Sequence, residues 1–290
     1  MRRYLPVLAV IAAAFILAMA VLKITFPAQE NVTPPISDDN ATTDLSHEED
    51  SIPYSEPESI NDSLIAHAGG AVYGYKLTNS LEALDNSYAN GFRIFELDFE
   101  RTADDKYVLL HDWDSMAERM FFRREVLSYD EFHSSQTFAE LTLLDLDMLL
   151  DWLQAHENCY IVTDAKCGNE LFLPYLYAHA GELAESFIPQ AYSFEGYQSA
   201  IALGFEKVIL TLYKSGYSED EIFAFAKENH PYAITIPKES LTETLITTLT
   251  ELGIRTYAHT VNELYVYEDW NSLGLYGIYT DYFQPAKWPY

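Results

Sequence analysis

The chain is short of basic residues. Only 17 Lys and Arg stand against 45 Asp and Glu, which gives a formal net charge of −28 over 290 residues. Binding to nucleic acid requires clustered basic side chains that neutralise phosphates, so this balance argues against a nucleic-acid partner. It is typical instead of an acidic, soluble extracellular protein with an affinity for cations.

Cysteine is equally scarce, with only Cys159 and Cys167 in the chain. An oxidising compartment would allow a disulfide between them. The apolar segment that begins at Cys159 predicts a strand, and eight extended residues span about 26 Å. A disulfide needs Cα atoms within about 7 Å of each other. The spacing therefore disfavours a bridge unless the chain turns sharply after Lys166.

One apolar run, Tyr4–Leu22, is long enough to be a membrane segment. Its length is close to the roughly 20 residues that span a bilayer, and the preceding Arg2-Arg3 favours a cytoplasmic N-terminus. We interpret residues 1–26 as an uncleaved membrane anchor, because the apolar character continues past a small-residue site. That site, Ala18-Met19-Ala20, keeps a cleaved signal peptide open as the alternative. Both interpretations place the rest of the chain outside the cytoplasm.

Residues 27–62 have the composition of a disordered linker. They contain ten acidic side chains, no Lys or Arg, and five prolines. Such a segment cannot bury enough apolar surface to offset the entropy lost on ordering. Residues 63–290 then form the folded part. A chain with 49% hydrophobic and 14% aromatic residues can build one large globular domain.

Within residues 63–290, apolar runs alternate with segments of helical spacing. The runs predict eight strands, at Leu64–His67, Arg93–Phe99, Cys159–Asp164, Phe187–Tyr192, Lys207–Tyr213, Tyr232–Ile236, Ile254–His259 and Leu275–Thr280. Strands that alternate with helices imply parallel βαβ units, and eight such units fit a closed (β/α)₈ TIM barrel. Residues 101–142 exceed a simple connection. They predict an insertion after strand 2 that includes an extra strand at Tyr107–Leu110.

Polar residues collect where the predicted strands end, at the face that holds the active sites of such barrels. They are His67, Glu96, Asp98, His111, Asp164, Lys166, His259 and Asp281. Glu96 and Asp98 are two residues apart on a strand and point to the same face. Buried carboxylates favour a bound divalent cation, and hard oxygen ligands favour Ca²⁺ or Mg²⁺ over zinc.

The remaining polar groups suit attack on phosphorus. Lys166 offers a point charge for an anionic oxygen. His67 and His111 can divide the duties of general acid and general base. The combination of a metal, a lysine and two histidines is typical of phosphoryl chemistry.

The ordered set of motifs resembles the glycerophosphodiester phosphodiesterase family, within the phosphatidylinositol-phospholipase-C-like barrels. The matching segments are His67-Ala68-Gly69, Asn79-Ser80, Glu96-Leu97-Asp98, Thr102-Ala103-Asp104, His111-Asp112, Asp164-Ala165-Lys166, Thr260-Val261-Asn262 and Thr280-Asp281. They occur in the family's order over most of residues 64–282.

The resemblance implies metal-dependent hydrolysis of a phosphodiester by a TIM barrel. It assigns the acid/base pair to His67 and His111, the metal carboxylates to Glu96, Asp98 and Asp164, and phosphate binding to Lys166. Asn79 and His259 are candidate substrate contacts, although Asn79 could instead cap the helix that starts near Ser80. The resemblance also implies that a substrate hydroxyl often attacks first, which gives a cyclic phosphate that water then opens.

Three residues depart from the family pattern, two of them at the expected substrate pocket and one at the expected metal site. Ala68 replaces an arginine that helps to bind phosphate, Asp164 replaces a longer Glu, and His259 replaces a Trp. The expected substrates are therefore glycerophosphodiesters, lipid headgroups or phosphodiester-linked envelope polymers. Two alternatives stay open: a lyase of the same superfamily that ends at the cyclic phosphate, and a non-catalytic, envelope-anchored binding protein on a degenerate barrel.

Overall fold

The computed structural model of the chain describes residues 62–290. The anchor expected at residues 1–26 and nearly all of the predicted linker lie outside these residues. Asp62, the last residue of that linker, accepts hydrogen bonds from Arg255 and Tyr276 and so belongs to the folded unit. No helix within residues 62–290 has both the length and the apolar character needed to cross a membrane.

Eight parallel strands close into a barrel, because the first strand in the chain pairs with both the second and the last. The barrel strands are β1 (Leu64–Ala66), β2 (Ile94–Arg101), β4 (Tyr160–Ala165), β5 (Phe187–Ala191), β6 (Ile209–Thr211), β7 (Ala233–Pro237), β8 (Thr256–His259) and β9 (Gly277–Thr280). Each of the eight predicted strands overlaps one of them. The extra strand β3 (Tyr107–Leu109) pairs antiparallel with β2, so the predicted barrel and its insertion after strand 2 are confirmed.

Nine helices accompany the strands of the described region. They are α1 (Leu81–Ala89), α2 (Ser115–Phe121), α3 (Tyr129–Ser134), α4 (Leu146–Ala155), α5 (Asn169–Ala180), α6 (Phe194–Leu203), α7 (Glu219–Asn229), α8 (Glu243–Glu251) and α9 (Leu264–Asn271). At the starts of six of these helices a polar side chain accepts a hydrogen bond from a free backbone N–H group, as Ser80 does for α1 and Ser218 for α7. After β9 only a short 3₁₀ turn, Pro285–Lys287, precedes the last residues.

The insertion has its own small apolar core, which packs β3 and its flanking loops against α2 and α3. Thr102 and Asp104 tie its base together. The Thr102 hydroxyl donates to Asp104, and the Asp104 carboxylate accepts the backbone N–H of Tyr129 at the start of α3, each at 2.8 Å. These two contacts join the turn before β3 to the start of α3.

The lower layer of the barrel interior takes one apolar or aromatic residue from every barrel strand. These residues are Ile65, Ile94, Val162, Ile188, Ile209, Ala233, Tyr257 and Tyr279, all 2% exposed or less. Their packing leaves no pore through this layer and supplies a floor for whatever lies above it. Both cysteines of the described region are free thiols, as the spacing predicted.

Candidate active site

A polar layer lies directly above the apolar floor. The side chains of a strand alternate between its two faces, so the residue two positions beyond each floor residue also points into the barrel. Those eight residues are His67, Glu96, Asp164, Gln190, Thr211, Thr235, His259 and Asp281. Every one of them is polar. The strands therefore change from apolar to polar within one step of the pleat, at the C-terminal end of the barrel.

Three carboxylates of this region form a compact cluster. One oxygen each from Glu96, Asp98 and Asp164 lies within 4.8 Å of the others, and all three residues are buried. Asp98 and Asp164 are direct partners in the pairing of β2 with β4, which fixes their approach. Oxygens on opposite sides of a Ca²⁺ ion are about 4.6–5.2 Å apart, so the cluster fits a hard divalent cation.

Lys166 bridges two of these carboxylates. Its Nζ lies 3.0 Å from Asp98 Oδ1 and 2.6 Å from Asp164 Oδ2. Burial alone would lower the pKa of Lys166, but the two carboxylates raise it above its usual range. Burial alone would likewise raise the pKa of Asp98, yet Lys166 and nearby donors hold it below its usual value. The lysine and Asp98 are therefore charged together.

Glu96 is the least compensated member of the cluster. It accepts the backbone N–H of Ala68 at 2.8 Å, and its nearest basic atom is His67 Nε2 at 4.0 Å. Burial and the neighbouring charge of Asp98 raise the pKa of Glu96. A buried carboxylate that resists ionisation in this way would be stabilised by a cation bound beside it.

His67 is held by a carboxylate from the last strand. Its Nδ1 lies 2.8 Å from Asp281 Oδ1, and Asn262 donates to the other Asp281 oxygen at 2.7 Å. Burial by itself would lower the pKa of His67, but the hydrogen bond to Asp281 and the charges of Glu96 and Asp281 raise it to about 9. The contact at Nδ1 leaves Nε2 directed towards the carboxylate cluster.

His111 is held in the same manner by its neighbour in sequence. Its Nδ1 lies 2.7 Å from Asp112 Oδ2. Partial burial opposes ionisation of Asp112, but hydrogen bonds from His111 and from the start of α2 lower its pKa to about 2. Both histidines thus have a carboxylate at Nδ1, and neither Nε2 makes a hydrogen bond within residues 62–290.

The two other predicted contact residues occupy different positions. His259 packs edge-to-face on His67 with ring centroids 4.9 Å apart. Burial and the positive charges of His67 and Lys166 lower the pKa of His259 to about 3, so it is neutral. Asn79 lies behind the cluster, where it donates to Asp98 Oδ2 at 2.8 Å and accepts the Asp98 backbone N–H at 3.0 Å. The cap of α1 is Ser80.

These groups open onto one cavity of about 410 Å³. It is lined by His67, His111, Asp164, Ala165, Lys166, Gln190, Tyr192, Thr211, Tyr213 and His259. Both histidines, the lysine and one carboxylate therefore face the same space. Asn79 and the motif residues Thr102 and Asp104 do not line it.

Sequence reasoning missed the neutral wall of the cavity. Gln190 and Thr211 lie near the ends of β5 and β6, Tyr192 and Tyr213 follow those strands, and none of the four belongs to a motif of the resemblance. A signal for two of them was present, because Gln190 and Thr211 stand two residues after the floor residues Ile188 and Ile209. The Tyr192 hydroxyl donates to Asp164 at 2.5 Å, and burial and the charge of Asp164 raise the pKa of Tyr192 above its usual range.

Comparisons with known proteins agree with this geometry. Residues 68–176 match the model of the Glycerophosphoryl diester phosphodiesterase family. The fold is similar to a glycerophosphodiester phosphodiesterase from Thermotoga maritima, with a TM-score of 0.63 and 19% identity over 76% of this chain and 94% of that one. It is also similar to an Oleispira antarctica phosphodiesterase in complex with the product sn-glycerol-3-phosphate, with a TM-score of 0.63 and 16% identity over 78% and 95%. No protein of curated function matches the sequence.

Proposed function

We propose that the chain is a phosphodiesterase of the glycerophosphoryl diester phosphodiesterase family, because residues 68–176 match that family's model and the barrel resembles that of a solved glycerophosphodiester phosphodiesterase. We propose that it hydrolyses glycerophosphodiesters or related phosphodiesters with the help of Ca²⁺ or Mg²⁺. The observation that carries the proposal is one cavity at the C-terminal rim, lined by Lys166, two histidines and Asp164, beside the buried cluster that Asp164 forms with Glu96 and Asp98.

Glu96, Asp98 and Asp164 would hold the cation. Their oxygens suit a hard divalent ion, and the raised pKa of Glu96 marks a carboxylate that such an ion would stabilise. When bound, the cation supplies Lewis-acid polarisation of a phosphoryl oxygen. Asn79 is then a residue that orients Asp98, because both of its amide groups are engaged there.

Lys166 and the two histidines would act on the substrate. An ammonium group has three N–H donors, and the two carboxylate contacts of Lys166 leave one for a phosphoryl oxygen. We assign general acid and general base duties to His67 and His111 through their Nε2 atoms. One removes a proton from the attacking hydroxyl as its oxygen bonds to phosphorus, and the other protonates the departing alcohol oxygen. A neighbouring hydroxyl of the substrate as attacker gives a cyclic phosphate that water then opens.

The substrate class follows from the family and from the cavity. A structural relative holds the product sn-glycerol-3-phosphate, which supports glycerol-containing diesters as substrates here. The apolar run at Tyr4–Leu22 supports an extracytoplasmic enzyme at a membrane, where lipid headgroups and envelope polymers are the available diesters. Ala68 offers no guanidinium, so phosphate binding falls to Lys166 and the histidines, with neutral His259 as a contact.

The test is turnover of glycerophosphodiesters and of bis-(p-nitrophenyl) phosphate by the full-length chain and its His67→Ala and His111→Ala variants. Loss of general acid–base catalysis reduces kcat by about 10²–10⁴-fold, and we expect losses in that range for both variants. His179→Ala is the matched control, because His179 is exposed on α5 and outside the cavity. Retention of full activity in either cavity variant would contradict the acid/base assignment.

Product analysis separates hydrolysis from the lyase reaction. Phosphorus NMR distinguishes a phosphomonoester from a cyclic phosphate. We expect the monoester to be the end product, with any cyclic phosphate transient. A cyclic phosphate that accumulates and is not opened would assign the chain to the lyases of the same superfamily.

A further inference from the structure

Asp164 is held from two sides. The Tyr192 hydroxyl donates to its Oδ1 at 2.5 Å, and the Lys166 ammonium contacts its Oδ2 at 2.6 Å. These two contacts therefore restrict the rotation of the Asp164 carboxylate.

Tyr192 reaches Asp164 from the neighbouring strand. It follows β5, two positions beyond Gln190 of the polar layer, so its side chain points towards the barrel axis. The residue is 36% exposed and lines the cavity, which shows that it contributes little to the apolar core. Its hydroxyl makes one hydrogen bond within the described region, and that bond goes to Asp164.

A hydrogen bond of this kind does not block cation binding. Each carboxylate oxygen has two acceptor positions, so an oxygen that accepts from Tyr192 retains one for a cation. Partners that orient metal-ligating side chains commonly change metal affinity by 10–100-fold when they are removed. The contact between Tyr192 and Asp164 has the geometry and the location of such a partner.

We propose that Tyr192 is a positioning residue for the cation site, whose hydroxyl fixes the Asp164 carboxylate in the orientation at which it joins Glu96 and Asp98. The inference rests on the proposed function, since it requires a divalent cation at this cluster. It adds a residue that the family motifs in this chain do not contain.

The experiment measures Ca²⁺ and Mg²⁺ binding to the full-length chain by isothermal titration calorimetry, after chelator has been removed. We expect Tyr192→Phe to weaken binding by about 10–100-fold. Tyr213→Phe is the matched control, since Tyr213 lines the same cavity and its hydroxyl makes no hydrogen bond within residues 62–290. The cation affinity of Tyr213→Phe should stay within about twofold of the parent, because the Tyr213 hydroxyl does not orient any of the three carboxylates.

A double variant tests whether Tyr192 changes cation affinity through Asp164. If Tyr192 acts through Asp164, Tyr192→Phe has almost no further effect on affinity in an Asp164→Ala background. An equal loss in both backgrounds would overturn the proposal, as would unchanged affinity of the single variant. A parent chain that binds neither cation would instead overturn the metal assignment itself. Circular dichroism and the unfolding temperature of the chelated variants check that only the hydroxyl was lost.

Discussion

His67 Nδ1 lies 2.8 Å from a carboxylate oxygen of Asp281, a residue 214 positions later in the chain. The two meet because the barrel closes with β1 beside β9, where Ala66 pairs with Thr280. The hydrogen bond fixes the ring of His67 and aims its Nε2 at the carboxylate cluster. Barrel closure, and no local motif, therefore orients this histidine.

Asp281→Asn should reduce kcat by about tenfold or more while leaving cation affinity nearly unchanged. Without the Asp281 carboxylate the His67 ring is no longer held in the orientation that general acid–base catalysis requires. The measurements are steady-state kinetics and calorimetric titration of Ca²⁺ or Mg²⁺. Asn262 donates to the other Asp281 oxygen, so Asn262→Ala should cause a smaller loss of the same kind. Full activity of Asp281→Asn would show that His67 does not need this partner.

The pair of His67 and Asp281 also predicts how the free energy of unfolding of the metal-free protein depends on pH. The pKa of His67 rises from 6.5 to about 9 on folding, so its stabilising contribution is complete below about 6.5 and disappears as pH rises through 9. The pKa of Asp281 is lowered from 3.8, so its contribution is present above that value and disappears in acid. In EDTA, the free energy of unfolding lost by Asp281→Asn should be largest near pH 5–6. A difference that grows towards pH 9 would contradict the linkage.

Glu96→Gln should stabilise the metal-free protein and abolish cation binding. The ionised carboxylate opposes folding above its unfolded pKa, because burial and Asp98 raise its pKa in the folded state. The neutral amide removes that cost and keeps an acceptor for the Ala68 N–H. In EDTA at neutral pH we expect the unfolding temperature to rise by roughly 2–4 °C per kcal/mol gained. A fall in that temperature would show that burial and the charge of Asp98 do not make the ionised Glu96 carboxylate destabilising.

Lys166→Met should have the opposite effect. The substitution leaves the carboxylates of Asp98 and Asp164 without the ammonium group that bridges them. For a largely buried ion pair this lowers the free energy of unfolding by about 3 kcal/mol. Chemical denaturation in EDTA measures this loss, and added Ca²⁺ should recover more stability in the variant than in the parent. Lys238→Met is the matched control. Its pair with Glu263 is exposed and 3.5 Å long, so it should lose less than about 1 kcal/mol.

The sequence predicted the barrel because apolar runs alternate with segments of helical spacing, and several of those runs change to polar residues at their ends. Ile94, Glu96 and Asp98 display this on β2, where the interior face changes from apolar to acidic along one strand. The Thr102 and Asp104 motif shows the limit of pattern matching, since both residues hold the base of the insertion and neither faces the cavity.

Side-chain contacts between residues far apart in the sequence could not be predicted in the same way. Asn79 had two possible roles in the sequence, as a helix cap or a site contact, and the structure assigns the cap to Ser80. Asn79 adopts a left-handed backbone conformation with φ of 49°, which turns its amide towards Asp98. The contact of Tyr192 with Asp164 depends on the register of β4 against β5, and an alternating apolar pattern does not distinguish registers that differ by two residues.

The most direct test of the account is phosphodiesterase activity of the full-length chain after chelation with EDTA and after return of Ca²⁺ or Mg²⁺. Glycerophosphodiesters and bis-(p-nitrophenyl) phosphate serve as substrates, and the triple variant Glu96→Gln, Asp98→Asn, Asp164→Asn serves as the reference without a site. We predict that turnover vanishes on chelation, returns with one of these cations, and is absent from the triple variant under all conditions. Undiminished turnover in EDTA, or turnover by the triple variant, would contradict a divalent cation held by these three carboxylates.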